Sequence, residues 1–147
     1  AVFLMARSGD YVVCLSRVEG DHTTRAYVVE VGVRRLLGAS AAGVAIMAQL
    51  PESEVNLLLH RHEAEYARQH HSLAALKAAV LRTRTLGYSE IHNTLIDSDG
   101  VGCAFQLAES YWAGISIAVA KHRSSPERLN ELAQLLMNEI RQVQESV

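Results

Sequence analysis

The chain opens on two short apolar runs, VFLMAR and YVVCLSRV, set on either side of Ser8-Gly9-Asp10. Runs rich in Val, Leu and Phe around a Gly-Asp turn predict strand, tight turn and strand. A polar loop, EGDHTT, leads to RAYVVEV, which predicts a third strand over residues 25–31 with Gly32 closing it. The period then lengthens. Ser40 stands as an N-cap before residues 41–50, a helix apolar nearly all round and therefore buried. Pro51 suits the first turn of the next helix, in which Val55, Leu58, Leu59, His62 and Tyr66 share a face until RQHHS interrupts it. Ser72 caps a further helix, striped by Leu73, Leu76, Val80 and Leu81, with Gly87 as its C′ residue.

Past Gly87 the period of two returns in YSEIHNTLI, GVGCAFQLA and YWAGISIAVA, with Asp97-Ser98-Asp99-Gly100 as the clearest turn. The last segment, SSPERLNELAQLLMNEIRQVQ, predicts a helix. Ser125 is its N-cap, Pro126 its first residue, and Leu129, Leu132, Leu136, Ile140 and Val143 its apolar stripe. Strands joined by short turns pair antiparallel. The expected fold is α+β: one domain over residues 1–147, a largely antiparallel six-stranded sheet with helices packed on it.

Composition supports a packed domain. Of the 147 residues, 49% are apolar and 20% charged, and the net charge is −2, so the chain has no basic stripe with which to grip nucleic acid. The longest apolar runs are far short of the roughly 18 residues that span a bilayer. No signal peptide and no membrane partner are expected. The chain starts inside a strand-like run without an initiator Met, which suggests a segment missing upstream. Cys14 and Cys103 both lie in apolar runs and read as buried, reduced thiols, as in a cytoplasmic protein.

Residues 32–51, GVRRLLGASAAGVAIMAQLP, are the most suggestive stretch. Gly38 and Gly43 have the spacing of a phosphate loop, but Val44 and Ala45 stand where Lys and Ser/Thr are needed. A different chemistry remains open. Ala41, Ala42 and Gly43 at a helix start would let a small anion touch free backbone N–H groups. Close packing of a buried helix accounts for the same small residues. HRHEAEYARQHH invites a metal, yet His60 and His62 project to nearly opposite sides of a helix, and His70 and His71 fall in a loop. No metal or cofactor is expected. Cys103, Ser116 and nearby polar residues lie on strands expected to pair, and inward-facing they would supply the few polar groups of a small-molecule pocket.

These segments together resemble the C-terminal effector-binding domain of IclR-type bacterial transcriptional regulators. The resemblance rests on Gly32, Arg34, Leu37, Ser40, Ala41, Gly43, Ala45 and Pro51 in register, on GDYVVCLSRVEGDH upstream, and on LGYSEI, GVGCAFQL, WAGISIAV and SSPERLNELAQLL downstream. It implies a curved, mainly antiparallel sheet flanked by helices, similar to GAF domains. It also implies a small organic acid as effector, a homodimer or homotetramer, and operator DNA bound only through a winged helix-turn-helix domain preceding this chain. Carried onto this sequence, it places the acid at Ala41 and Ala42, with Cys103, Ser116, Ala118, and Asn93 or His92 around it.

The departures from the family pattern are Leu36 for a proline, Val44 for a cation, Ala118 for a serine, and Asn93 or His92 for an acid. They imply a less polar pocket walled by Leu36, Met47, Phe105 and Trp112, and an acid with a hydrophobic or aromatic body. The alternative is a non-regulatory GAF-like module, or a small-molecule enzyme that uses Cys103.

Overall fold

The computed structural model describes residues 1–20, 29–93 and 97–146. Its element order is β1 (Val2–Ser8), β2 (Tyr11–Val18), β3 (Arg34–Leu36), α1 (Ala41–Met47), α2 (Glu52–Arg61), α3 (Glu63–Arg68), α4 (Leu73–Leu86), β4 (Ser89–Asn93), β5 (Ser98–Ala108), β6 (Tyr111–Ala120), a 3₁₀ turn (Lys121–Arg123) and α5 (Pro126–Glu145). One antiparallel sheet takes all six strands in the order β3-β2-β1-β6-β5-β4. Two hairpins, β1–β2 and β5–β6, are joined edge to edge through β1 and β6. The fold is the expected α+β arrangement.

Local chemistry sets the element ends. The Ser40 hydroxyl accepts from the Gly43 N–H at 3.0 Å, and Ser72 and Ser125 cap α4 and α5 in the same way. Gly87 ends α4 at φ 86°, a left-handed conformation that Gly adopts without a Cβ penalty. Pro51 precedes α2 rather than entering it. The single helix expected from Pro51 until RQHHS breaks at His62, whose φ of −113° and ψ of 22° lie off the helical region.

Three elements differ from expectation. The predicted third strand lies over residues 25–28 outside the described residues, and Val29, Glu30 and Val31 are not strand. The strand in third place is Arg34–Leu36, which pairs with β2 through Tyr11–Leu36, Val12–Arg35 and Val13–Arg34. The expected turn at 97–100 is reduced to Asp97, because Ser98–Gly100 find partners on both β4 and β6. On α4, Thr83 is buried and Leu81 is 60% exposed, so the helix is rolled away from the Leu81 side.

The sheet separates two cores. On one face Phe3, Met5, Val12 and Cys14 meet α1, α2 and α4; on the other, Val101 and Cys103 meet Leu129, Leu132, Ala133 and Leu136 of α5. α1 sits directly on β5 and β6. A Cβ built on Gly102 would stand 2.5 Å from the carbonyl carbon and oxygen of Ala41 and 2.8 Å from the nitrogen of Ala42. One built on Gly114 would meet the Cβ of Ala42 at 3.1 Å. Glycine in the strands and alanine on the helix bring the two backbones together, which is the close-packing account of these small residues.

Candidate functional site

A cavity of about 110 Å³ opens on the α1 face of the sheet, beside the start of that helix. Its floor is a row of paired strand residues. Gly102 pairs with Ser116, and Ser116 with Phe3, so neighbouring strands present the same face at these positions. Ser116 and Phe3 border the cavity, with Ala118 and Gly100 two pairs further along, on the same face, and Ile91 across from Gly100. Ser40 and Ala41 overhang it from the helix, and Arg35 reaches it from β3.

Strand parity decides which expected residues can take part. Ala41, Ser116 and Ala118 come together at the cavity. Cys103 does not. It pairs with Ile115, one residue out of step with the Gly102–Ser116 pair, and so faces α5. The expectation that Cys103 and Ser116 share one pocket is corrected by that register. Phe105 has the same parity as Cys103 and lines a separate apolar groove with Ile115 and Leu136. Burial pushes the Cys103 thiol up to about 11, the reverse of what an activated nucleophile needs.

The remaining expectations divide further. Ala42 is wholly buried against Gly102 and Gly114 and does not border the cavity. Gly43 donates its N–H to Ser40 and backs onto Gly38, where a Cβ would stand 3.1 Å from the Gly38 nitrogen. Leu36 from β3 and Met47 from the end of α1 are buried core residues, and Trp112 packs against the same core. The apolar wall is built instead by Phe3, Met5, Val29 and Ile91. Asn93 ends β4, and its side chain lies outside the described residues. His92 is exposed, and its Nδ1 lies 2.9 Å from Asp99, which borders the cavity.

Asp99 is well supplied with partners. Burial would raise its carboxyl, but hydrogen bonds from Ser124 and His92, with Lys121 at 3.9 Å, outweigh burial and hold it below the usual carboxylate range. The same balance holds elsewhere at Asp10. Burial opposes its ionisation, while His62 at 2.7 Å and Arg61 at 2.6 Å favour it more. His62 thus hydrogen-bonds Asp10 through Nε2 and stands edge-on to the Tyr11 ring.

Sequence reasoning missed Arg35. Its partner across the ladder, Val12, is fully buried in the core that α1 covers, so Arg35 points to the same side. Its Nε is buried without a hydrogen-bond partner among the described residues. The sequence carries two consecutive arginines but no signal that they lie in a strand, as the structure shows they do. Alternation sends only one of two neighbours to each face.

A curled six-stranded antiparallel sheet flanked by helices, with a small, mostly apolar cavity beside α1, places the chain in the α+β class. The sequence matches the family described as bacterial transcriptional regulator IclR C-terminal over residues 1–145, and the chain belongs to that family. It is 27% identical over 154 residues to the HTH-type transcriptional regulator KipR of Bacillus subtilis (strain 168), covering 100% of this chain and 60% of that protein. It is 28% identical over 145 residues to the transcriptional repressor IclR of Escherichia coli (strain K12), covering 95% of this chain and 52% of that protein. The chain therefore spans little more than half the length of these relatives, which are transcriptional regulators rather than enzymes.

The fold is shared with the crystal structure of the Thermotoga maritima IclR, at a TM-score of 0.81 and 21% identity, over 99% of this chain and 60% of that one. It is shared also with the C-terminal domain of the E. coli transcriptional regulator KdgR, at 0.76 and 24%, over 95% and 82%. Among the described residues, no helix is long and apolar enough to cross a membrane.

Proposed function

We propose that this chain is the ligand-sensing domain of a transcription regulator. A small carboxylate enters the cavity beside α1, and its binding changes the operator affinity of a DNA-binding domain carried elsewhere in the full-length protein. The regulator acts in the cytoplasm as a homodimer or homotetramer. The observation that carries this reading is the cavity bordered by Arg35, Ser40, Ala41 and Ser116, in a chain that belongs to a family of transcriptional regulators. The aromatic body inferred from Leu36, Met47, Phe105 and Trp112 loses its support, because none of these residues borders the cavity, and a short acid is favoured instead. To shift an equilibrium, the acid must bind the DNA-competent and DNA-incompetent states with different affinity.

The test uses the full-length protein and labelled DNA from upstream of its own coding sequence. Fluorescence anisotropy is followed as a panel of two- to four-carbon acids is added. At least one acid is expected to change the DNA dissociation constant several-fold. The cavity-filling variant Ser116→Leu is expected to keep DNA binding and lose that response. A DNA affinity indifferent to every acid would contradict the reading.

A further inference from the structure

We propose that Arg35 is the anion-binding residue of the cavity, clamping one carboxylate through its Nε–H and a terminal N–H. The proposal rests on the ligand-sensing reading and names the group that would recognise the ligand, a residue that the carried-over family positions do not include.

Two buried side-chain nitrogens lack a hydrogen-bond partner among the described residues, Nε of Arg17 and Nε of Arg35. Their surroundings differ. Arg17 pairs with Glu19 and lies 6.0 Å from the centre of the Phe3 ring, so its charge is already met. Arg35 has no ion pair and no side-chain hydrogen bond with any described residue, and it borders the cavity. Its neighbour Arg34 stacks on Tyr11 at 4.6 Å and is exposed, so the two adjacent arginines have separate surroundings. Asp99, the carboxylate that borders the same cavity, is not within ion-pair distance of Arg35; its partners are His92 and Lys121.

A buried guanidinium N–H without a partner is costly, because water no longer solvates it and nothing replaces water. Guanidinium is also the side chain best shaped for a carboxylate, since two parallel N–H donors match its two oxygens. An incoming acid would satisfy Nε and supply the missing negative charge. Its short apolar part would lie against Phe3, Met5 and Ile91, and Ser116 is placed to meet a hydroxyl or oxo group beside the carboxyl. The helix start contributes less than its composition suggests. The Ser40 hydroxyl takes the Gly43 N–H, and Ala42 is sealed against the sheet.

The test titrates the 147-residue chain with sodium propionate and sodium lactate, and with propionamide and lactamide as uncharged counterparts of the same shape. Chemical shifts are followed by NMR. The acids are expected to bind at least tenfold more tightly than the amides. Arg35→Met is expected to lose that preference, and Arg35→Lys to retain part of it. Thermal melting without ligand gives an independent readout. Removing an unpartnered buried donor should leave Arg35→Met at least as stable as the native chain, so lost binding cannot be ascribed to unfolding. A marked fall in melting temperature would overturn the claim that Arg35 is unpartnered. Acids and amides binding equally, unchanged in Arg35→Met, would overturn the anchor but leave a ligand cavity. No shift at the cavity with any of the four would overturn the ligand-sensing reading as well.

Discussion

Gly102 lies so close to the Ala41–Ala42 peptide that a Cβ on it would stand 2.5 Å from the Ala41 carbonyl carbon. Backbone, not a flexible side chain, occupies that space, so the contact cannot be relieved by a rotamer change. Gly102→Ala should therefore push α1 off the sheet or bend β5. Overpacked cores lose about 1–3 kcal/mol, and a loss at the upper end is expected here. Urea unfolding followed by circular dichroism checks it. An unchanged midpoint would mean that α1 does not rest on β5 in solution.

Cys103 and Ser116 test the parity of the strands. Cys103 faces α5, so Cys103→Ala should leave acid binding unaltered while costing on the order of 1 kcal/mol for the cavity left against Leu129 and Leu132. The native thiol, buried and pushed up to about 11, should react with a thiol reagent far more slowly than a free cysteine at pH 8. Fast labelling, or acid binding abolished by Cys103→Ala, would place this residue on the wrong face.

Asp10 ties the β1–β2 turn to the end of α2. Burial raises its carboxyl, but hydrogen bonds from His62 and Arg61 outweigh burial, so its folded pKa lies below its unfolded value of about 3.9. A depressed carboxylate stabilises the fold above the unfolded pKa, and that stabilisation is lost as the pH falls through the folded one. Asp10→Asn should lower stability at pH 7 by up to about 1 kcal/mol, the range for a partly exposed ion pair. The difference should narrow as the pH falls below the unfolded pKa and through the folded one. Denaturant melts of both proteins between about pH 2 and 7 measure the effect, and a gap that does not narrow toward the acid end would contradict it.

Much of the framework is legible in local chemistry. Ser40, Ser72 and Ser125 announce helix starts because a hydroxyl before an apolar stretch has an N–H to accept from, and Gly87 announces an end because it alone adopts positive φ cheaply. The strand at Arg34–Leu36 is not legible in the sequence because its residue types do not fix it. Arg34–Leu36 is strand only because β2 runs beside it. The site depends still more on relations that pattern does not hold. Cys103 and Ser116 look equivalent as small polar residues in apolar runs, and only the β5–β6 register sends them to opposite faces. Ala41, Ala42 and Gly43 look like one anion-binding turn, yet Gly102 and Gly114 seal Ala42, and Ser40 occupies Gly43. Arg35 reads as an ordinary surface charge until Val12 fixes which way it points.

The measurement that bears most directly on the account is the map of backbone amide shifts when lactate is added to the labelled chain. If a small acid occupies the cavity beside α1, the changes centre on Arg35, Ser40, Ala41, Ser116 and Ala118, and leave Cys103, Phe105 and the α5 residues Leu132 and Leu136 unmoved. Changes centred on the α5 face, or none at saturating lactate, would contradict it.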